Sequence, residues 1–126
     1  MTLLLDTGAL IALERGDRAM WRRIKAAYQA GTPPRTHGGI VGQAWRGRGP
    51  KQALLAQALS GLEIVALDEA LGRAAGELLA RARQSDVVDA ALVMLSADGD
   101  MIVTSDADDL EPLLEASGRH VEIIPA

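Results

Sequence analysis

Met101-Ile102-Val103-Thr104-Ser105-Asp106-Ala107-Asp108-Asp109-Leu110 is a short apolar run that ends in an acid and passes into a helical pattern. Leu3-Leu4-Leu5-Asp6-Thr7-Gly8-Ala9-Leu10 has the same layout at the other end of the chain. Each run is too short and too uniformly apolar for a helix and reads as a buried strand. Between them, Asp17 is placed to cap a helix over 18–30 that Gly31 ends, and Pro33-Pro34 marks an extended segment. Ile40, Val41, Ala44 and Trp45 have the spacing of a short helix, and Gly49-Pro50 separates it from another over 51–59. A strand is expected at 62–67, a helix capped by Asp68 up to about Arg83, a helix at 86–97 and a turn at Asp98-Gly99. Strand 101–104, helix 107–117 and strand 120–124 follow. Strands alternating with helices predict an α/β fold, a mostly parallel sheet covered on both faces. In such sheets the working cleft lies beyond the carboxyl ends of the strands, where Asp6 and Asp106 stand.

Composition narrows the chemistry. The 126 residues include no cysteine and two histidines, which excludes disulfides, thiolate nucleophiles and zinc–thiolate centres. With no Phe, one Tyr and two Trp, the core must be aliphatic. Residues 1–126 read as one domain, without a signal-peptide layout or an apolar run long enough for a membrane span, which suits a cytoplasmic protein. Charge is divided: residues 1–60 hold nine Lys/Arg against three acids, a net of +6, whereas residues 61–126 hold four against fourteen, a net of −10. Such asymmetry can mark a polyanion-binding surface beside an acidic site, but on charge alone solvated helix faces are the better account.

The acids that matter are those poorly explained as caps. Asp86 and Asp89 lie at i and i+3 in Ser85-Asp86-Val87-Val88-Asp89-Ala90-Ala91. Asp86 or Ser85 suits a helix cap, which leaves Asp89 as an acid within an apolar run, costly unless paired or bound to a metal. Asp6 and Asp106 can each cap the helix that follows. Asp109 ranks next, and Asp108 is expected to face solvent. Clustered carboxylates without soft ligands favour Mg²⁺ or Mn²⁺. His37 and His120 are isolated and read as structural. No glycine-rich segment has the Lys-Ser/Thr of a phosphate loop.

Leu3-Leu4-Leu5-Asp6-Thr7-Gly8-Ala9-Leu10-Ile11-Ala12, Asp86-Val87-Val88-Asp89-Ala90 and Val103-Thr104-Ser105-Asp106-Ala107-Asp108-Asp109-Leu110 together resemble the PIN-domain ribonucleases, most nearly the VapC-like toxins of bacterial toxin–antitoxin pairs. The resemblance covers the whole chain, in order. It implies a three-layer α/β/α sandwich, hydrolysis of RNA with Mg²⁺ or Mn²⁺, a VapB-like antitoxin partner and a homodimer. Asp6, Asp89 and Asp106 would be the principal acids, with Asp86 and Asp109 as further ligands. The family commonly has a Glu where this chain has Gln43, in Ile40-Val41-Gly42-Gln43-Ala44-Trp45-Arg46. An amide oxygen can ligate a metal or hold a water, but it carries no charge and cannot act as a base. Gln43 therefore keeps a rival in view, a non-catalytic PIN-like module that binds RNA or protein. Arg15, Arg46 and Arg48 are candidates to hold RNA phosphates. The segment 19–28, with Trp21 and Tyr28, and the helix 40–45 are candidates for an antitoxin groove.

Overall fold

The structure is a computed structural model that describes residues 1–126. The chain begins with β1 (Leu3–Leu5), α1 (Thr7–Glu14), α2 (Arg18–Gln29), β2 (Arg35–His37), α3 (Gly38–Ala44) and α4 (Gln52–Leu59). It continues with β3 (Glu63–Val65), α5 (Glu69–Ala82), α6 (Val87–Leu95), β4 (Met101–Thr104), α7 (Ala107–Ser117) and β5 (Glu122–Pro125). The five strands form one sheet in the order β3-β2-β1-β4-β5, and every pairing is parallel. With helices in every crossover, this is the expected α/β/α sandwich, and the sheet is parallel throughout. From β1 the chain winds outward through β2 to β3, then returns to the other side of β1 as β4. The winding of the chain thus reverses between β1 and β4, where open α/β sheets form a ligand crevice.

The short strands survive because their neighbours bury them. Leu3, Leu4 and Leu5 sit in a continuous core with Ile102 and Val103 beside them and Leu10, Leu13, Ile40, Leu92, Leu110 and Leu113 around the sheet. Every large hydrophobic side chain that is fully buried is Leu, Ile or Met20. Asp17, Asp68 and Asp86 cap α2, α5 and α6 through their side chains, each accepting a backbone N–H at 2.9–3.1 Å. These bonds satisfy donors that a helix start otherwise leaves unpaired. No helix is long and apolar enough to cross a membrane.

Three details differ from the expectations. Residues 35–37, read only as the end of an extended segment, are β2, which lies between β1 and β3. The short helix over 40–45 instead begins at Gly38 and stops at Ala44, capped at its start by His37. Trp45 falls outside it, 40% exposed, so it is no core residue.

Candidate active site

Asp6 follows β1 directly, and its carboxylate is held from two elements. Oδ1 accepts from the Ala9 N–H at 2.9 Å, and Oδ2 accepts from the Thr104 hydroxyl at the end of the neighbouring strand β4. Asp6 is therefore both a cap of α1 and a buried acid at the sheet switch. Burial raises its pKa, opposed by the Thr104 hydroxyl and by backbone N–H groups. The Thr104 hydroxyl in turn accepts from the Asp106 N–H at 2.8 Å, so Asp6 and the start of α7 are built on one threonine.

Asp89 stands in the first turn of α6, half-buried. Its pKa is raised to about 7, first by burial and then by the charges of Asp86, Asp6 and Asp109. Asp86 is exposed and spends Oδ1 on capping, accepting from the N–H groups of Val88 and Asp89. Asp106 makes no side-chain cap bond to α7, so its carboxylate is free of that role. Asp109 is exposed, and its pKa is raised by a hydrogen bond with Asp106, then by the charges of Asp106, Asp86 and Asp108. The linkage thus runs from Asp6 to Asp89, from Asp89 to Asp86 and Asp109, and from Asp109 to Asp106. Among these acids, Asp109 acts on Asp89, and Asp106 acts on Asp109. Asp108 is exposed, as expected.

The shared charge effects bring Asp6, Asp86, Asp89 and Asp109 near one another, but no three acids stand close enough to form a ligand set. Its donors are all carboxylate or amide oxygens, and Asp89 is already strained by like charge. By donor type and by charge these oxygens suit a hard divalent cation, with Asp6 and Asp89 the central candidates and Asp86, Asp106 and Asp109 needing to draw in to complete a ligand set.

Gln43 lies on the exposed side of α3, and its Oε1 accepts a hydrogen bond from the Thr7 hydroxyl, next to Asp6. Its side chain therefore reaches the residue that follows Asp6. Gln43 also lines a cavity of about 470 Å³ that brings Arg15, Arg46 and Arg48 together with Lys51. The three arginines singled out in the sequence thus share one pocket beside Gln43, and Lys51 is an addition.

His37 is fully buried and neutral in character, its pKa lowered by burial against a bond to Val88. Its Nδ1 accepts from the Gly39 N–H at 3.1 Å, and Nε2 lies 2.9 Å from the Val88 carbonyl, to which it donates. It is structural, as expected, but it ties β2 to the helix that carries Asp89, a link no local pattern announces. Thr104 and Gly8 are also part of the site. A Cβ on Gly8 would lie 2.0 Å from Ser105 Oγ and 2.5 Å from its Cβ, so only glycine lets α1 approach the residue before Asp106.

The groove expected from residues 19–28 exists between α2 and the end of α4, about 640 Å³ in volume, with Trp21, Ile24, Lys25 and Tyr28 on one wall and Gln57 and Ala58 on the other. The helix over 40–45 does not share it: α3 packs against α1 and β2.

No protein-family model and no curated protein matches the sequence. Solved structures do match the fold. The chain is similar to a chain of VapBC2 from Rickettsia felis, solved bound to a DNA fragment from its promoter, with a TM-score of 0.72 and 14% identity over 98% of this chain and 99% of that one. It is also similar to PAE2754 from Pyrobaculum aerophilum, with a TM-score of 0.60 and 18% identity over 97% of this chain and 83% of that one. At these identities the likeness establishes the architecture alone, a three-layer α/β/α sandwich on a parallel sheet.

Proposed function

We propose that this chain is a divalent-cation-dependent endoribonuclease and the toxin partner of a small antitoxin protein. The observation that carries the reading is the group of acids at the β1/β4 switch, with Asp89 pushed to about 7 by burial and by its acidic neighbours. Natural folds keep such a cluster at a cost, and a cation relieves it. Mg²⁺ or Mn²⁺ bound there would supply Lewis acidity at the phosphate and make water easier to ionise.

The chain's own contribution is positional. Asp6 is held by Ala9 and Thr104, so its orientation is fixed before any ligand arrives. Asp89 holds a proton through much of the weakly acid range, and it must release that proton to act as a ligand. Cation binding therefore tightens as pH rises through about 7. Gln43 is neutral and occupied with Thr7, so it orients and does not accept a proton. The acids at the cleft and the arginines at its side divide the labour between the reacting phosphate and its neighbours.

The test is cleavage of defined RNAs and DNAs with Mg²⁺, with Mn²⁺ or with EDTA, using Asp6→Asn as the control. Metal-dependent cutting of RNA that Asp6→Asn abolishes supports the reading. Gln43 favours a second reading, a PIN-like module that binds RNA or protein without cutting. Binding without cleavage, in parent and Gln43→Glu alike, would establish that instead.

A further inference from the structure

The pocket beside Gln43 is a built site. Its floor is Gln52, almost fully buried, whose Oε1 accepts from the N–H groups of Arg46 at 2.8 Å and Gly47 at 3.0 Å. Gln52 Nε2 donates to Glu14, which occupies the one acid lining the pocket. Gly47 and Gly49 take φ of 75° and 98°, conformations that favour glycine, and fold the loop 45–51 back over this floor. Arg46 donates to the carbonyls of Gly42 and Trp45, which fixes its guanidinium. The ion pairs of the molecule are Arg35–Glu63 and Arg73–Glu69, so none of the pocket's four cations is neutralised. Four unpaired cations around one cavity repel one another and call for an anion.

Trp45 adds a second kind of contact. It follows α3 on the loop that forms the pocket wall, exposed, with Nε1 beside Gly47. Trp45 does not itself line the pocket, but an exposed indole on the same loop as Arg48 and Lys51 offers a stacking face at the start of a backbone track, the combination that holds single strands. A duplex hides its base faces and cannot use it.

We propose that the loop 45–51 and the end of α1 form a nucleotide subsite for single-stranded RNA, in which Arg15, Arg48 and Lys51 take phosphates and Trp45 stacks on a base. Gln43 lines this pocket and touches the neighbour of Asp6, so a strand held here continues into the acid cleft. Along α1 the distance from Asp6 to Arg15 is about 13 Å, which a short run of extended backbone covers. The inference rests on the nuclease reading only for what lies at the other end of that strand.

The experiment measures fluorescence anisotropy of a labelled single-stranded oligoribonucleotide of about 10 nucleotides, in EDTA so that nothing is cut. The same sequence as duplex RNA and as single-stranded DNA supplies the comparison. The parent should bind the single strand more tightly than the duplex. The triple variant Arg15→Gln, Arg48→Gln, Lys51→Gln should bind about tenfold or more weakly, with a salt slope smaller by about 2. Trp45→Ala should lose about tenfold with the salt slope unchanged, and Trp45→Phe should recover most of it. Melting curves for each variant verify the fold. A parent that binds duplex as well as single strand, or a folded triple variant or Trp45→Ala that binds like the parent, overturns the subsite. The two readings fail separately. Binding through this pocket without any Mg²⁺-dependent cleavage removes the nuclease and leaves the subsite, whereas metal-dependent cleavage untouched by the triple variant removes the subsite alone.

Discussion

Asp89 and Gly8 show how much of the site rests on single residues. Asp89 sits at a raised pKa of about 7 against an unfolded value near 3.8. The folded state therefore holds more protons than the unfolded one between those values, so this group's penalty is absent in acid and complete above about pH 7. Asp89→Asn removes the penalty. In EDTA, its stability relative to the parent should rise as pH climbs from about 4 to about 7 and then level off. Urea unfolding across that range measures it, and a pH-independent difference would show that like-charge repulsion does not act on Asp89. Adding Mg²⁺ above pH 7 should stabilise the parent more than the variant, because the parent keeps the ligand. Gly8 is decided by contact. Gly8→Ala drives a Cβ into Ser105 and should cost about 1–3 kcal/mol by the same denaturation measurement. Ser105→Gly added to it should restore most of the loss, and failure to do so would place the strain elsewhere. Asp6 and Asp106 are visible in the sequence as acids that end apolar runs, and Asp89 as an acid within one. What is not visible is that Thr104 bonds Asp6 across a separation of 98 residues, since no local pattern encodes a contact between two strands.

At the scale of elements, the helices were legible because their starts are written in aspartates. Asp17, Asp68 and Asp86 each do what an N-cap does, and the periodic apolar residues after them fix the buried face. β2 was not legible. Arg35-Thr36-His37 has no apolar residue, and it is a strand because β1 and β3 flank it and its polar groups find partners. Thr36 donates to the Leu5 carbonyl, Arg35 pairs with Glu63, and His37 reaches Val88. His37 joins β2 and α3 to α6, so it should matter more than its isolation in sequence implies. His37→Asn keeps an acceptor for the cap but cannot span to Val88, and should lose about 1–3 kcal/mol at neutral pH. The pH dependence has the opposite sign to that of Asp89. A lowered pKa keeps folded His37 neutral while the unfolded imidazole takes a proton below about pH 6.5. The parent therefore loses this contribution as pH falls, and His37→Asn should narrow its deficit in acid. A deficit that stays constant from neutral to acid pH would mean that His37 does not stay neutral on folding.

Over the whole molecule, the sequence's charge division becomes a spatial one. The basic half supplies α1 to α4, with the pocket of four cations and the α2–α4 groove, while the acidic half supplies α6 and α7 with most of the cleft carboxylates. The groove is the surface best suited to the antitoxin proposed above. Tyr28 is 65% exposed there, Trp21 is anchored by its indole N–H donating to the Leu13 carbonyl at 3.0 Å, and Arg22 and Lys25 add positive charge. An apolar trough with a rigid aromatic wall and a basic rim fits an amphipathic helix that carries acids beside its apolar face. Co-expression with the adjacent small reading frame, followed by size-exclusion chromatography with light scattering, should yield a complex. Tyr28→Ala combined with Lys25→Glu should weaken that complex by about tenfold or more, since exposed aromatic anchors dominate such interfaces. The same variant lies away from the acids, so its metal-dependent RNA cleavage should equal the parent's. A complex that survives both substitutions unchanged would move the partner off this groove, and a chain that copurifies with nothing and is harmless when expressed alone would remove the toxin reading while leaving the nuclease cleft to be judged on its own assay.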